Sequence, residues 1–216
     1  MMRAFTFLAT FLFLTACAGY KMTNRSNPFS QYGIKTLSIP MFYNHSSFSN
    51  VAPIFTQRIH HLLAEFDGLV ISSGTKKTDA VLVGIIDSED KLNSARESGD
   101  LRISKSISPN TLGRRGDFYV PATTTNKIKV RFIVIKNPTK AELELLQTPL
   151  GKSISAHSKI IFNEEISVAR QFNRELFSGD AVSVNYTQNR GAEKENLKQM
   201  ADSVASTFKE MILYAF

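Results

Sequence analysis

Tryptophan is absent from the chain and cysteine occurs once, at Cys17. No apolar run reaches the roughly 20 residues of a spanning helix. A single cysteine excludes an internal disulfide, so the fold must be held by burial alone. Without tryptophan, stacking on sugars would fall to the 16 phenylalanines and 6 tyrosines. No glycine-rich phosphate loop is present, since Gly113-Arg114-Arg115-Gly116 lacks the lysine-serine ending and the strand-to-helix setting. There is no Gly-x-Ser-x-Gly elbow. Glu164 and Glu165 are adjacent, so on a strand they point to opposite faces and do not suit a two-carboxylate hydrolase. His60 and His61 would point about 100° apart on a helix and make poor joint metal ligands. The expectation is a protein that is not an enzyme and carries no metal and no cofactor.

What is present starts at the first residues. Met1-Met2-Arg3 is a short basic start, and Ala4 to Leu14 is almost unbroken apolar sequence carrying Phe5, Phe7, Leu8, Phe11, Leu12 and Phe13. That order is the pattern of a secretory signal peptide. Leu14-Thr15-Ala16-Cys17 then resembles the bacterial lipobox, in which a peptidase cuts before a cysteine whose thiol carries diacylglyceryl. The resemblance implies removal of residues 1–16 and a mature chain that starts at Cys17 with lipid on its sulfur and amine. Two or three acyl chains make such anchoring effectively permanent. Cys17 is then an anchor, and cysteine catalysis is excluded. Ala18 follows it in place of Asp, the residue that retains lipoproteins in the inner membrane of enteric bacteria, so the expected address is the periplasmic side of the outer membrane.

The remaining chain has the length of one domain and, with hydrophobic residues at 43%, enough apolar content for a packed core. Formal net charge is +7, and only Arg3 of that excess leaves with the signal peptide. A basic protein facing an outer membrane meets anionic lipid, lipopolysaccharide phosphate or acidic protein surfaces, while nucleic acid is not expected there.

Residues 17–31 read as a lipidated N-terminus and flexible tether, polar through Asn24, Ser26, Asn27, Pro28 and Ser30. Residues 32–216 read as a single domain. Ile34 to Pro40 is a strand ended by proline. Met41 to Ser46 forms a loop. Phe55, Ile59, Leu62, Leu63 and Phe66 recur at helical spacing from about Asn50, and Asp67-Gly68 stops the helix. Leu69-Val70-Ile71 is a short strand. Asp79 to Asp87 is apolar at both parities, as expected of a central strand buried on both faces. Residues 88–126 lack steady periodicity and read as an irregular or extended β excursion, with Leu101 to Ile107 as a candidate strand; a loop of that length is usually functional or mobile.

Lys127 to Lys136 alternates clearly, with Ile128, Val130, Phe132 and Val134 facing one way. Ser153 to about Val168 is a second long strand, with Ile154, Ala156, Ile160 and Phe162 on one parity and His157 and Lys159 on the other. After a polar stretch from Gly179 to Arg190, Leu197, Met200, Ala201, Val204, Phe208, Met211 and Ile212 form the stripe of a final helix that starts near Asn189 or Gly191. The order gives an α+β fold with a mixed sheet of about four to five strands and two amphipathic helices.

Lys127, Lys129 and Arg131 lie at alternate positions of one strand face, about 7 Å apart, close enough to engage phosphates jointly. Lys159 and His157 would extend the patch if the two long strands pair. The alternative is an ordinary solvated sheet face. For a lipoprotein of the outer membrane, anionic glycolipid is the nearest ligand of that chemistry.

Taken in order, several motifs resemble the LptE family of lipopolysaccharide-assembly lipoproteins. Cys17-Ala18-Gly19-Tyr20 is similar to that family's lipidated start. Ile34 to Pro40 with Phe42 and Asn44-His45-Ser46 is similar to its first strand and the Pro, aromatic and Asn-x-Ser/Thr pattern that follows. Val51 to Phe66 and Asp79-Ala80-Val81-Leu82-Val83-Gly84-Ile85-Ile86 are similar to its helix and its strand ending in Leu-x-Gly, although the order Asp79-Ala80 departs from the family's Ala-Asp. The resemblance implies a small sheet with two helices packed on one face. It also implies two partners: an LptD-type outer-membrane β-barrel whose lumen the lipoprotein occupies, and lipopolysaccharide. The same strand-helix-strand opening also resembles lipoproteins of the CsgG and LpoB type, which form secretion pores or activate peptidoglycan synthases.

Overall fold

The computed structural model describes residues 26–73, 78–88, 95–104, 117–148, 158–175 and 182–215. The expected signal peptide, Cys17, His157 and the Arg114-Arg115 pair lie outside them.

Seven strands of the described residues form one mixed sheet: β1 (Thr36–Ser38), β2 (Tyr43–Asn44), β3 (Val70–Ser72), β4 (Ala80–Asp87), β5 (Arg96–Ser104), β6 (Asp117–Lys136) and β7 (Ile160–Asn173). Among the described residues three α-helices accompany it: α1 (Val51–Leu63), α2 (Lys140–Gln147) and α3 (Val182–Ala215). The architecture is α+β. The 20-residue β6 is its axis. Along one edge it takes β4 against residues 129–136 and β5 against 117–126, both antiparallel. Along the other it takes β7 against 123–135. Beyond β4, the short strands β1 and β2 pair with it in parallel, and β3 pairs with β1.

One face of the sheet carries the main core. Val51, Phe55, Ile59 and Leu63 repeat every four residues on α1 and are buried. They meet Leu82 and Ile86 of β4, Ile128, Val130, Phe132 and Val134 of β6, and the α3 stripe of Met200, Val204, Phe208 and Ile212. Phe132 packs on Phe208 with ring centroids 4.4 Å apart.

β4 is central and buried on both faces, as its unbroken apolar run requires. Its second face meets α2, so the structure has a third helix on the side opposite the other two. Val81, Val83 and Ile85 pack there with Ile133, Ile135 and Leu146. Helix α2 begins in a full capping box: the Thr139 side chain accepts from the Glu142 N–H, and the Glu142 carboxylate accepts from the Thr139 N–H.

Four boundaries differ from the sequence reading, each for a physical reason. Residues 26–31, polar enough to read as tether, belong to the domain: Phe29 is fully buried, and the Asn27 amide donates to the Ile34 carbonyl at 2.6 Å while accepting from the Phe29 N–H at 2.9 Å. Of the two readings of the 88–126 excursion, the described parts follow the extended one: they are mostly paired strand, β5 and the first half of β6, with a bulge at Gly99/Asp100, and the strand starts at Arg96 where Leu101 is expected. Their buried positions include Thr124 and Asn126, so polar residues conceal the alternation.

Strand β7 starts at Ile160, after a turn at Ser158 and Lys159, and runs on past Val168 to Asn173; residues 153–157 lie outside the described residues. A bulge at Ile161 sets Val134 opposite Phe162 but Ile135 opposite Ile160. Ile160 therefore joins the α2 side and Phe162 the main core, although they share a sequence parity. Helix α3 begins at Val182 and passes through Gly191 without ending, because its first half is held by polar contacts that hydrophobic periodicity does not register. Glu193 pairs with Arg96, the Asn189 amide exchanges hydrogen bonds with the Glu175 backbone, and Asn196 accepts from Asn126.

Candidate functional site

The sheet face opposite α1 and α3 divides in two along β6. Towards Lys136 it is apolar and covered by α2. From Arg131 back towards Thr123 it carries no helix among the described residues, and here lies the basic stripe. Alternation puts Lys127, Lys129 and Arg131 on this face because Ile128, Val130 and Phe132 are committed to the core.

Register then decides what each cation meets, because residues directly opposite in a ladder share a face. Arg131 lies between Ile85 of β4 and Glu165 of β7, and its Nε–H donates to Asn163 Oδ1 at 2.8 Å. Lys129 lies between Asp87 and Ser167. Lys127 lies opposite Ala169 on β7, and its ammonium pairs with Glu97 of β5. Each cation of the stripe thus has a carboxylate on a neighbouring strand. The face is an interleaved lattice of both signs.

Within that lattice, Lys127 and Lys129 border an open cleft of about 220 Å3 with Ser88, Ser167 and Ala169. Ile128 and Val168 also line it and its wall is mostly apolar, and the Lys127 ammonium is engaged by Glu97, so Lys129 is the cation of the stripe placed to meet an anionic group at its rim. Lys129 is the exposed member.

Lys159 belongs elsewhere. β6 and β7 do pair, but Lys159 lies past the end of that ladder, where its carbonyl accepts from the Lys136 N–H at 2.9 Å. Its ammonium donates to both oxygens of Glu142, at 2.8 and 3.1 Å. That ion pair, with the Thr139 N–H, holds the Glu142 carboxyl at about 2, well below the usual carboxylate range. Lys159 fastens α2 to β7, and the structure does not bring it to the cleft.

The residues missed from sequence are the counter-charges Glu97, Asp87 and Glu165. Glu165 had the right parity, and only the register of β6 on β7 could show it facing Arg131. Nearby, the His45 ring lies 3.8 Å from the Asp87 carboxylate, and Ser88 Oγ accepts from the Ser47 N–H at 3.1 Å. The His60 and His61 rings stand almost perpendicular, at 85°. Among the described residues no three metal-ligating side chains converge, and no helix is long and apolar enough to cross a membrane.

No family model and no curated protein matches the chain. Solved structures to which it is similar include rare lipoprotein B from Shewanella oneidensis, at 11% identity and TM-score 0.34 over 82% of this chain and 97% of that one. Lipoprotein B from Nitrosomonas europaea gives 11% and 0.35 over 84% and 88%. A lipoprotein from Neisseria meningitidis gives 8% and 0.35 over 74% and 96%.

Proposed function

We propose that the chain is a lipid-anchored outer-membrane protein that assists lipopolysaccharide assembly as plug and partner of an LptD-type β-barrel. The address follows from Leu14-Thr15-Ala16-Cys17 and from Ala18 after it. The function rests on the LptE resemblance, and one observation carries it: the separate motifs that make up the resemblance pack on one another. Phe42, from the segment after Pro40, lies against Gly84 of the Leu-x-Gly strand. Asn44 braces the same segment by donating to the Phe48 carbonyl at 2.7 Å and accepting from the Ser46 N–H at 3.0 Å. Residues about 40 positions apart that match the family's pattern thus lie together in one structural unit, which supports the reading.

In this reading the protein turns over no substrate. Its described surface supports binding: a seven-stranded sheet with a face of mixed charge for contact with another protein's polar wall, and the exposed Lys129 at the rim of a cleft for contact with a lipopolysaccharide phosphate. The test is capture of partners from detergent-solubilised outer membranes by the tagged full-length protein. A large, heat-modifiable β-barrel is the expected co-purifying species. A penicillin-binding synthase or a homo-oligomeric ring in its place would overturn the assignment in favour of the CsgG and LpoB type.

A further inference from the structure

The first described residues and the last turn of α3 lie side by side. Ser26, Asn27, Pro28, Ser30 and Gln31 share a small open cleft of about 180 Å3 with Ile212 and Leu213. Ile212 is fully buried and fixes the end of the helix in the core, while Leu213 is 37% and Tyr214 83% exposed. Tyr32 is also partly exposed, and its carbonyl accepts from the Lys136 ammonium at 2.6 Å, which places a cation at this end.

The length of chain outside the described residues says what this end faces. The nine steps from Cys17 to Ser26 span at most about 32 Å when fully extended. A domain of this size is roughly 40 Å across. With lipid on Cys17, the Ser26 end stays within reach of the bilayer, and a domain lying close against it would present that end. Tyrosine with neighbouring aliphatic and lysine side chains is the composition that settles at the headgroup level, ring in the acyl boundary and hydroxyl in water.

We propose that the C-terminal turn of α3, with Leu213 and Tyr214 beside the Tyr32 segment, is a second membrane contact that docks the domain on the leaflet carrying the anchor. This rests on the anchored reading above and not on the plug reading: it describes the anchored domain on the leaflet before it engages a barrel. A lipid on Cys17 does not by itself set the orientation of the domain; the side-chain contact does, with α3 rising from the membrane and the β5–β7 end directed away.

The absence of tryptophan supplies a clean reporter. Tyr214→Trp puts one fluorophore at the proposed contact. Tyr186→Trp, at a 65% exposed site about 42 Å away along the same helix, is the control. The chain from Cys17 onwards is coupled through its lone thiol to maleimide phospholipid in phosphatidylethanolamine–phosphatidylglycerol vesicles containing brominated lipid, so the result does not depend on native acylation. The expected result is blue-shifted emission, quenched several-fold, at position 214, and water-like, unquenched emission at 186. Water-like emission at 214, or equal quenching at both sites, overturns the proposal. Mass spectrometry of the native protein tests the anchor separately: absence of acyl groups on Cys17 would sink the anchored reading whatever the fluorophore at position 214 reports.

Discussion

The ring of Phe42 lies so close over Gly84 that a Cβ at position 84 would fall 2.5 Å from it. Gly84 is opposite Phe132 in the β4–β6 ladder, and Phe42 meets Phe132 edge to face with centroids 5.8 Å apart. The glycine is therefore a seat for a ring, on a central strand where glycine otherwise weakens the ladder. Gly84→Ala forces Phe42 out of a packed position and is expected to cost about 1–3 kcal/mol. The check is the shift in urea midpoint at constant slope. Phe42→Leu should restore part of the loss in the double variant, since the clash is with the ring, and a double-mutant cycle reads that coupling.

Glu142 gives a pH dependence with a definite sign. Its carboxyl is held at about 2, against 4.5 ordinarily, first by Lys159 and then by the Thr139 N–H. A carboxyl depressed in the folded state contributes stability that is complete above its unfolded value and is lost as pH falls through the folded one. The capping of α2 should weaken between about pH 4.5 and 2. Asp79 titrates in the same sense, lowered by the backbone N–H groups of Lys35 and Thr36, so wild type alone cannot separate the two. Glu142→Gln should flatten only its own share of the acid limb in unfolding experiments between pH 2 and 5. Lys159→Met should return the Glu142 carboxyl towards 4.5, read by carbon NMR of that group.

How much of this was legible in the sequence depends on what carries each element. α1, the core half of α3, central β4 and the alternating half of β6 are built on apolar periodicity, and all appear where that periodicity puts them. The first half of α3 and the β5–β6 pair are built on Asn, Thr, Arg and Glu side chains that find partners across the fold, and a one-dimensional pattern does not contain partners. The stripe shows both sides of this. Alternation placed Lys127, Lys129 and Arg131 on one face, but Glu97, Asp87 and Glu165 enter it through register, which a single bulge such as that at Ile161 changes.

The stripe's members should differ in their hold on anionic glycolipid. Lys127 must give up Glu97 to reach a ligand, and Arg131 is bound to Asn163. Lys129 is the most exposed of the three. Lys129→Glu should therefore lower lipopolysaccharide affinity most, and Lys127→Glu less, in isothermal titration with the purified domain. Glu97→Gln should raise affinity by releasing Lys127, and all effects should shrink as salt rises. Equal affinities across the series, with the fold retained by circular dichroism, would return the stripe to a solvated, self-neutralised surface.

The contact between Asn126 and Asn196 allows a test of what holds the polar half of α3. Both side chains are buried, at 0% and 3% exposure, and Asn126 Nδ2 donates to Asn196 Oδ1 at 3.1 Å. Asn126 Oδ1 has no hydrogen-bond partner among the described residues. A half-satisfied buried amide is costly, and removing its remaining partner costs more. Asn196→Leu alone should therefore destabilise by about 1–3 kcal/mol, because it strands the Asn126 amide. Replacing both with leucine removes every buried polar atom of the pair and should recover most of that loss, or exceed wild type. Hydrogen exchange along α3 decides between two consequences. If the pair serves stability only, protection of residues 186–196 follows global stability in both variants. If it keeps the first half of α3 able to open from the β5–β7 end, the double variant protects that half beyond its gain in global stability.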